Sequence, residues 1–194
     1  MRSLLGLLLL AADPATLLRT TLPVSARGPA GALVIVGGTL DEKTCEALRN
    51  ATAIAKNFGV SGRVFGTKCN TAFLYGGDAG FGVRAGRVVA LIADEKGVIR
   101  YERTLPVSVA GMSTLGSDLV AWEQGRGSFA GHCGHCHGDD GAGTFFQGIK
   151  SMAGITTRMS DQKILEGGES FGAVSISTWT KAEVDSFLLF VRGL

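Results

Sequence analysis

The sequence predicts an α+β chain: a small α/β sheet unit followed by an all-α unit of about three helices. Three observations carry this. Short apolar, β-branched runs bounded by glycine, at residues 31–38 and 88–93, flank a stretch of helical period. Beyond residue 117 only helix caps and i, i+3, i+4 apolar spacing recur. The chain has 194 residues, 45% of them hydrophobic, enough for one or two packed domains. A net charge of +2 is too small to imply a nucleic-acid partner. The 29 glycines are scattered among apolar runs and therefore mark tight turns rather than disorder.

Residues 1–26 open with Met1-Arg2 and the apolar run Ser3-Leu4-Leu5-Gly6-Leu7-Leu8-Leu9-Leu10-Ala11-Ala12. A basic start and a short apolar core have the shape of a secretory signal, and the core is too short to span a bilayer. The segment reads as a signal peptide or, if retained, as an N-terminal anchor making surface contact with a membrane; an ordinary N-terminal helix is the alternative. Val24-Ser25-Ala26 places small residues where a cleavage site wants them, but far from the apolar core.

Residues 27–104 make the α/β unit. Gly31-Ala32-Leu33-Val34-Ile35-Val36-Gly37-Gly38 reads as a buried strand. Residues 41–58 are a helix, with Leu48, Ala51, Ile54, Ala55 and Phe58 on one face and Gly59 as its stop. Residues 60–82 carry glycine and aromatics without a clear period. The glycine pairs Gly37-Gly38 and Gly76-Gly77 match no Walker or dinucleotide fingerprint and read as turns. Residues 88–93 form a second strand, Asp94-Glu95-Lys96-Gly97 a turn, and residues 98–103 an alternating strand hairpinned to it. Residues 105–116, with Pro106 and two glycines, read as a linker.

Residues 117–194 hold the helices. Ser117-Asp118 can cap a helix through Leu119, Val120 and Trp122 to Phe129. Ser160-Asp161 can cap a second, residues 162–166, stopped by Gly167-Gly168. Thr180-Lys181-Ala182-Glu183 is a capping box, and Val184, Phe187, Leu188 and Val191 then fall on one face.

Between the first two helices lies Cys133-Gly134-His135-Cys136-His137. Cys-x-x-Cys-His is the attachment pattern of a covalent c-type haem. Two thiols at this spacing can add across the two vinyl groups on one edge of the macrocycle. The histidine after the second thiol is then held against the iron as its proximal ligand. Gly138-Asp139-Asp140-Gly141-Ala142-Gly143 follows and lets the backbone turn closely about a flat cofactor. A dithiol redox motif would leave His137 unexplained. A zinc site would want a second ligand pair, and the other cysteines, Cys45 and Cys69, lie far upstream. Those two could form a disulfide, stay as buried thiols, or act as a redox pair.

Residues 117–194 resemble a class I cytochrome c domain. The resemblance rests on Gly125 eight residues before Cys133, the aromatic Phe129 four before it, the attachment motif itself, and Leu189-Phe190-Val191-Arg192 near the end. It implies three helices around one haem c, its iron bound by His137, with the last helix packed across the first at Gly125 through Phe190. It also implies attachment outside the cytoplasm, on the periplasmic side in bacteria, and one-electron exchange with redox protein partners or a larger respiratory or dehydrogenase complex. Residues 87–101, with 54–60 upstream, are similar to the second half of peroxiredoxin-type thioredoxin-like domains. No Pro-x-x-x-Thr/Ser-x-x-Cys context accompanies them, so the resemblance implies a truncated unit or one that has lost that active site.

The family's sixth ligand is a methionine between the middle and last helices, but residues 169–179 contain none. Met159 and Met152 lie earlier, His132 and His135 are constrained by the attachment loop, and an open distal position completes the choices. A thioether ligand suits an electron carrier. An open iron suits binding of O₂, NO, CO or peroxide, as sensor or peroxidase-like enzyme. Peroxidase chemistry would want a distal base and an arginine, for which Arg158 is the only nearby residue.

Overall fold

A computed structural model describes residues 18–22, 32–36, 40–58, 61–65, 74–75, 88–94, 96–141, 143, 151–170 and 176–194. The chain is mixed α and β. Its strands are β1 (Ala32–Val36), β2 (Ser61–Phe65), β3 (Leu74–Tyr75), β4 (Val88–Ala93) and β5 (Ile99–Leu105). Its helices are α1 (Glu42–Asn57), α2 (Val109–His132), α3 (Gly134–His137), α4 (Asp161–Ser170) and α5 (Lys181–Val191).

The strands form one five-stranded sheet in the order β3-β2-β1-β4-β5. β1 runs parallel to β2, and β2 to β3, while β4 is antiparallel to both β1 and β5. β2 and β3 fall in the stretch whose sequence shows no period. β4 is buried at every residue, which is why its sequence is continuously apolar rather than alternating. The helix α1 connects the parallel pair β1 and β2, as a crossover must. Asp41 caps it, its carboxylate accepting from Thr44 N–H at 2.7 Å.

The 105–116 linker is corrected by the structure. α2 starts at Val109, capped by the Ser108 hydroxyl, which accepts from Gly111 N–H at 3.1 Å. The helix therefore opens two turns before Ser117-Asp118. The small residues that suggested a linker serve close packing instead. A Cβ at Gly111 would stand 2.3 Å from the Pro106 carbonyl oxygen, and one at Gly116 would meet Ile54 Cδ1 at 3.0 Å. With 24 residues, α2 is about 36 Å long, enough to serve both halves of the chain. Met112, Leu115 and Leu119 pack with α1 and the sheet, and Trp122 and Phe129 pack with α5, in one continuous apolar core. Asp118, on the same helix, accepts from Tyr101 and Arg103 of β5. Burial first, and that bond second, hold the Tyr101 phenol far above its ordinary pKa.

α4 likewise runs on through Gly167-Gly168 to Ser170, where the sequence suggested a stop at Glu166. α5 begins as expected, with the Thr180–Glu183 capping box formed in both directions. Thr180 N–H and hydroxyl donate to the Glu183 carboxylate at 2.7 and 2.8 Å. These bonds lower the Glu183 pKa. A carboxylate lowered on folding stabilises the fold above its unfolded pKa and loses that contribution as pH falls through the folded value. Thr180→Ala is expected to cost about 1 kcal/mol. Chemical denaturation at neutral pH should register this, and the deficit should shrink in acid as Glu183 protonates.

Residues 18–22, within the N-terminal segment 1–26 read as leader or anchor, pair with the outer edge of β5. Arg19 N–H donates to Ile99 O at 2.7 Å, Ile99 N–H to Thr20 O at 2.8 Å, and Leu22 N–H to Gly97 O at 2.7 Å. The apolar run at residues 4–12 lies outside the described residues. Among the described residues, no helix is long and apolar enough to cross a membrane.

Candidate functional site

Cys133, Cys136 and His137 lie where α2 gives way to the single turn α3. Cys133 ends α2, its N–H donating to Phe129 O at 2.7 Å, and begins α3. Its carbonyl then accepts from Cys136 N–H at 3.1 Å and from His137 N–H at 3.0 Å. Residues 133, 136 and 137 thus stand at i, i+3 and i+4 of one helical turn, the positions that share a face of a helix. Gly138 ends the turn at φ +73°, a conformation that excludes most side chains, and its N–H returns to Gly134 O at 2.7 Å. Gly143 N–H donates to His137 O at 2.8 Å, so the loop folds back on the histidine's own backbone.

Both thiols are free and half-buried. Burial, and then the neighbouring Cys136, push the Cys133 thiol up to about 11, so it is protonated at neutral pH. His137 Nδ1 is buried without a hydrogen-bond partner. A buried ring nitrogen left unpaired costs about 1–3 kcal/mol and calls for an explanation beyond packing. Among the described residues, no group of three or more His, Cys, Asp and Glu could hold a metal ion. The zinc alternative for the cysteine pair therefore finds no second set of ligands there. Cys45 is disulfide-bonded, which removes it as a free thiol; Cys69 lies outside the described residues.

Two elements frame this turn from behind. α5 crosses α2 so closely at Gly125 that a Cβ there would stand 1.9 Å from Ser186 O and 3.0 Å from Phe190 Cβ. Phe190 contacts Trp122 and Phe129 at ring separations of 5.5 and 5.3 Å. Phe187 stacks on Phe129 at 6.3 Å and meets Trp179 edge-on at 5.4 Å, while Trp179 reaches His132, beside Cys133, at 5.4 Å. These aromatics fix the end of α2, and therefore the turn that continues it.

The sheet supplies the other side. Lys96, in the β4–β5 turn, pairs with Asp140 of the loop that follows His137 at 2.7 Å. Arg100 bonds Asp94 of that turn at 2.8 Å and the Gly193 carbonyl at 3.3 Å. A Cβ at Gly193 would collide with Arg100 O at 1.9 Å. Leu194 is buried and lies against Gly141. These contacts involve charged and terminal residues with no local pattern, and sequence reading missed them. The only hint was the acidic pair Asp139-Asp140 opposite an exposed lysine turn.

The two methionines separate. Met152 is half-buried; its N–H donates to Gly141 O at 2.8 Å, which ties it to the loop that follows His137. Met159 is 48% exposed, past the short 3₁₀ turn Ile155–Thr157. Arg158, the arginine that the sequence singled out, is turned to the carbonyls of Ser151 and Ala153 at 3.1 and 3.0 Å. His132 and His135 are both exposed. A cavity of about 720 Å³ lies elsewhere, between α1 and α2, lined by residues such as Ala47, Ile54, Met112 and Val120.

No family model, curated protein or solved structure matches the chain.

Proposed function

We propose that the chain is a c-type cytochrome that carries one covalent haem c and passes single electrons between redox partners outside the cytoplasm. The observation that carries this reading is the single turn holding two free thiols and an imidazole whose buried Nδ1 lacks a partner. Cys133 and Cys136 would each add their S–H across one vinyl group, the sulfur bonding one carbon and the hydrogen the other, so no oxidant is consumed. His137 would supply the proximal ligand to the iron. Bound haem supplies the one-electron chemistry; the chain attaches it, orients it and tunes it through its ligand and surrounding shell. The close crossing of α2 and α5 at Gly125 and Phe190 supports the cytochrome c reading of the helical unit. The strand–helix–strand pair β1-α1-β2 with the β4–β5 hairpin supports a thioredoxin-like reading of the sheet unit. The Cys45 disulfide favours an oxidising compartment.

A second reading is favoured by the methionines. Met152 is fastened to the attachment loop itself, and Met159 stands exposed. An iron with an open sixth position, binding a small ligand such as NO or CO, fits that arrangement. Optical and electron-spin-resonance spectra of the ferric protein, with Met152→Ala and Met159→Ala beside it, decide between the two. A sulfur-to-iron charge-transfer band lost in one variant names the ligand and supports the carrier. A high-spin spectrum unchanged by both variants and shifted by cyanide supports the open site. Absence of covalent haem from protein matured with the haem-attachment machinery sinks both.

A further inference from the structure

We infer that residues 18–22 are a permanent part of the sheet edge in the mature protein, joined to it by a single β-bridge and its backbone bonds, and that any leader is removed upstream of Leu18 rather than after Ala26. This rests on the export reading of residues 1–12 only for the cleavage; the segment stands on its own contacts.

The small residues of Val24-Ser25-Ala26 are the local pattern that suits a leader-processing enzyme. A cut there would discard residues that the fold uses. Three backbone hydrogen bonds join Arg19, Thr20 and Leu22 to Gly97 and Ile99. Leu18 N–H adds a fourth contact, to the Glu102 carboxylate at 3.0 Å. Without the segment, the start of β5 would present open N–H and C=O groups along a sheet edge. Leu22 is only 1% exposed, so its loss would open a hole beside the turn that pairs with the attachment loop.

Arg19 gives the segment a second function. It is the one non-glycine residue with positive φ among the described residues, at +68°. A side chain held in that region is strained and persists only where surrounding contacts fix it. Here the guanidinium Nη2 donates to Thr156 Oγ1 at 3.0 Å and to Arg192 O at 3.2 Å. One residue thus joins the sheet edge, the loop between Met152 and Met159, and the end of α5. Cleavage after Ala26 would remove this three-way tie and leave the contacts of Arg100 with Gly193 to join the end of α5 to β5.

The test starts with the full chain, expressed with haem-maturation machinery and fractionated. Intact mass of the folded protein should place the N-terminus at or before Leu18. A haem-bearing species that begins at Arg27 overturns the inference. In parallel, a chain beginning at Leu18 is compared with one beginning at Pro23. The shorter chain should melt roughly 5–10 °C lower or fail to accumulate as soluble protein. An equal Tm overturns the inference as well. Full-length protein confined to the cytoplasm would count against the export reading alone, and the melting comparison would still judge the segment. The haem contribution to the same mass reports the cytochrome reading separately.

Discussion

Replacing Cys133 and Cys136 together by alanine is expected to abolish covalent haem completely, while leaving the α/β core folded. The two thiols sit on the turn that closes α2, and Cys133 is only partly buried against the core, so removing their sulfurs disturbs little packing. The haem-stained band on a denaturing gel should vanish, and the intact mass should fall to that of the bare chain. Each single variant should retain one thioether, at reduced yield. His137→Ala is expected to act differently. Both thiols remain, so some covalent attachment survives, but the iron loses its proximal imidazole and the ferric spectrum changes spin state. A double cysteine variant that still stains for haem after denaturation would remove the basis of the cytochrome reading.

Gly125→Val is expected to be the most destabilising single substitution in the helical half. The added Cβ would overlap the Ser186 carbonyl, with its oxygen 1.9 Å and its carbon 2.6 Å away, and backbone cannot swing aside as a side chain can. α5 must move off α2, which loosens Phe190 from Trp122 and Phe129 and frees the end of the helix that carries Cys133. Overpacking costs about 1–3 kcal/mol, and a collision with backbone puts this site at the upper end, about 3 kcal/mol. For a chain of this size, that lowers Tm by roughly 6–12 °C. Gly127→Ala, two residues along the same helix, is the control. A Cβ there meets nothing within 4 Å, so the better helix former should hold or raise stability by up to ~1 kcal/mol. Equal effects from the two would mean that α5 does not lie across α2 at this glycine.

The contrast between those two glycines shows what a sequence conceals. Both sit in one helix and look alike in the string Gly125-Arg126-Gly127. The eight-residue spacing from Cys133 singled out Gly125, but only the crossing of α5 explains why a side chain is forbidden there. Gly111 and Gly116 misled in the opposite direction. With Pro106 they suggested a linker, whereas they are the close contacts of a helix already begun. Local composition cannot distinguish a glycine that bends from one that makes room. The strands β2 and β3 escaped for a related reason: short strands at one side of the sheet gain their stability from pairing, β2 with β1 and β3 with β2, rather than from an apolar period of their own.

The sequence by itself determined the features whose physics is local. The Cys133–Cys136–His137 turn, the helix after Asp41, the Thr180–Glu183 capping box and the buried run of β4 are all written within a few neighbouring residues. Only the tertiary structure decided how the two halves join. α2 is shared between the sheet and the helical unit, Lys96 reaches Asp140 across the fold, and Arg19 binds the segment 18–22 to the end of α5. These contacts link residues distant in sequence. Their stability comes from burial and charge pairing that exist only once the chain has closed, so no spacing rule could have announced them.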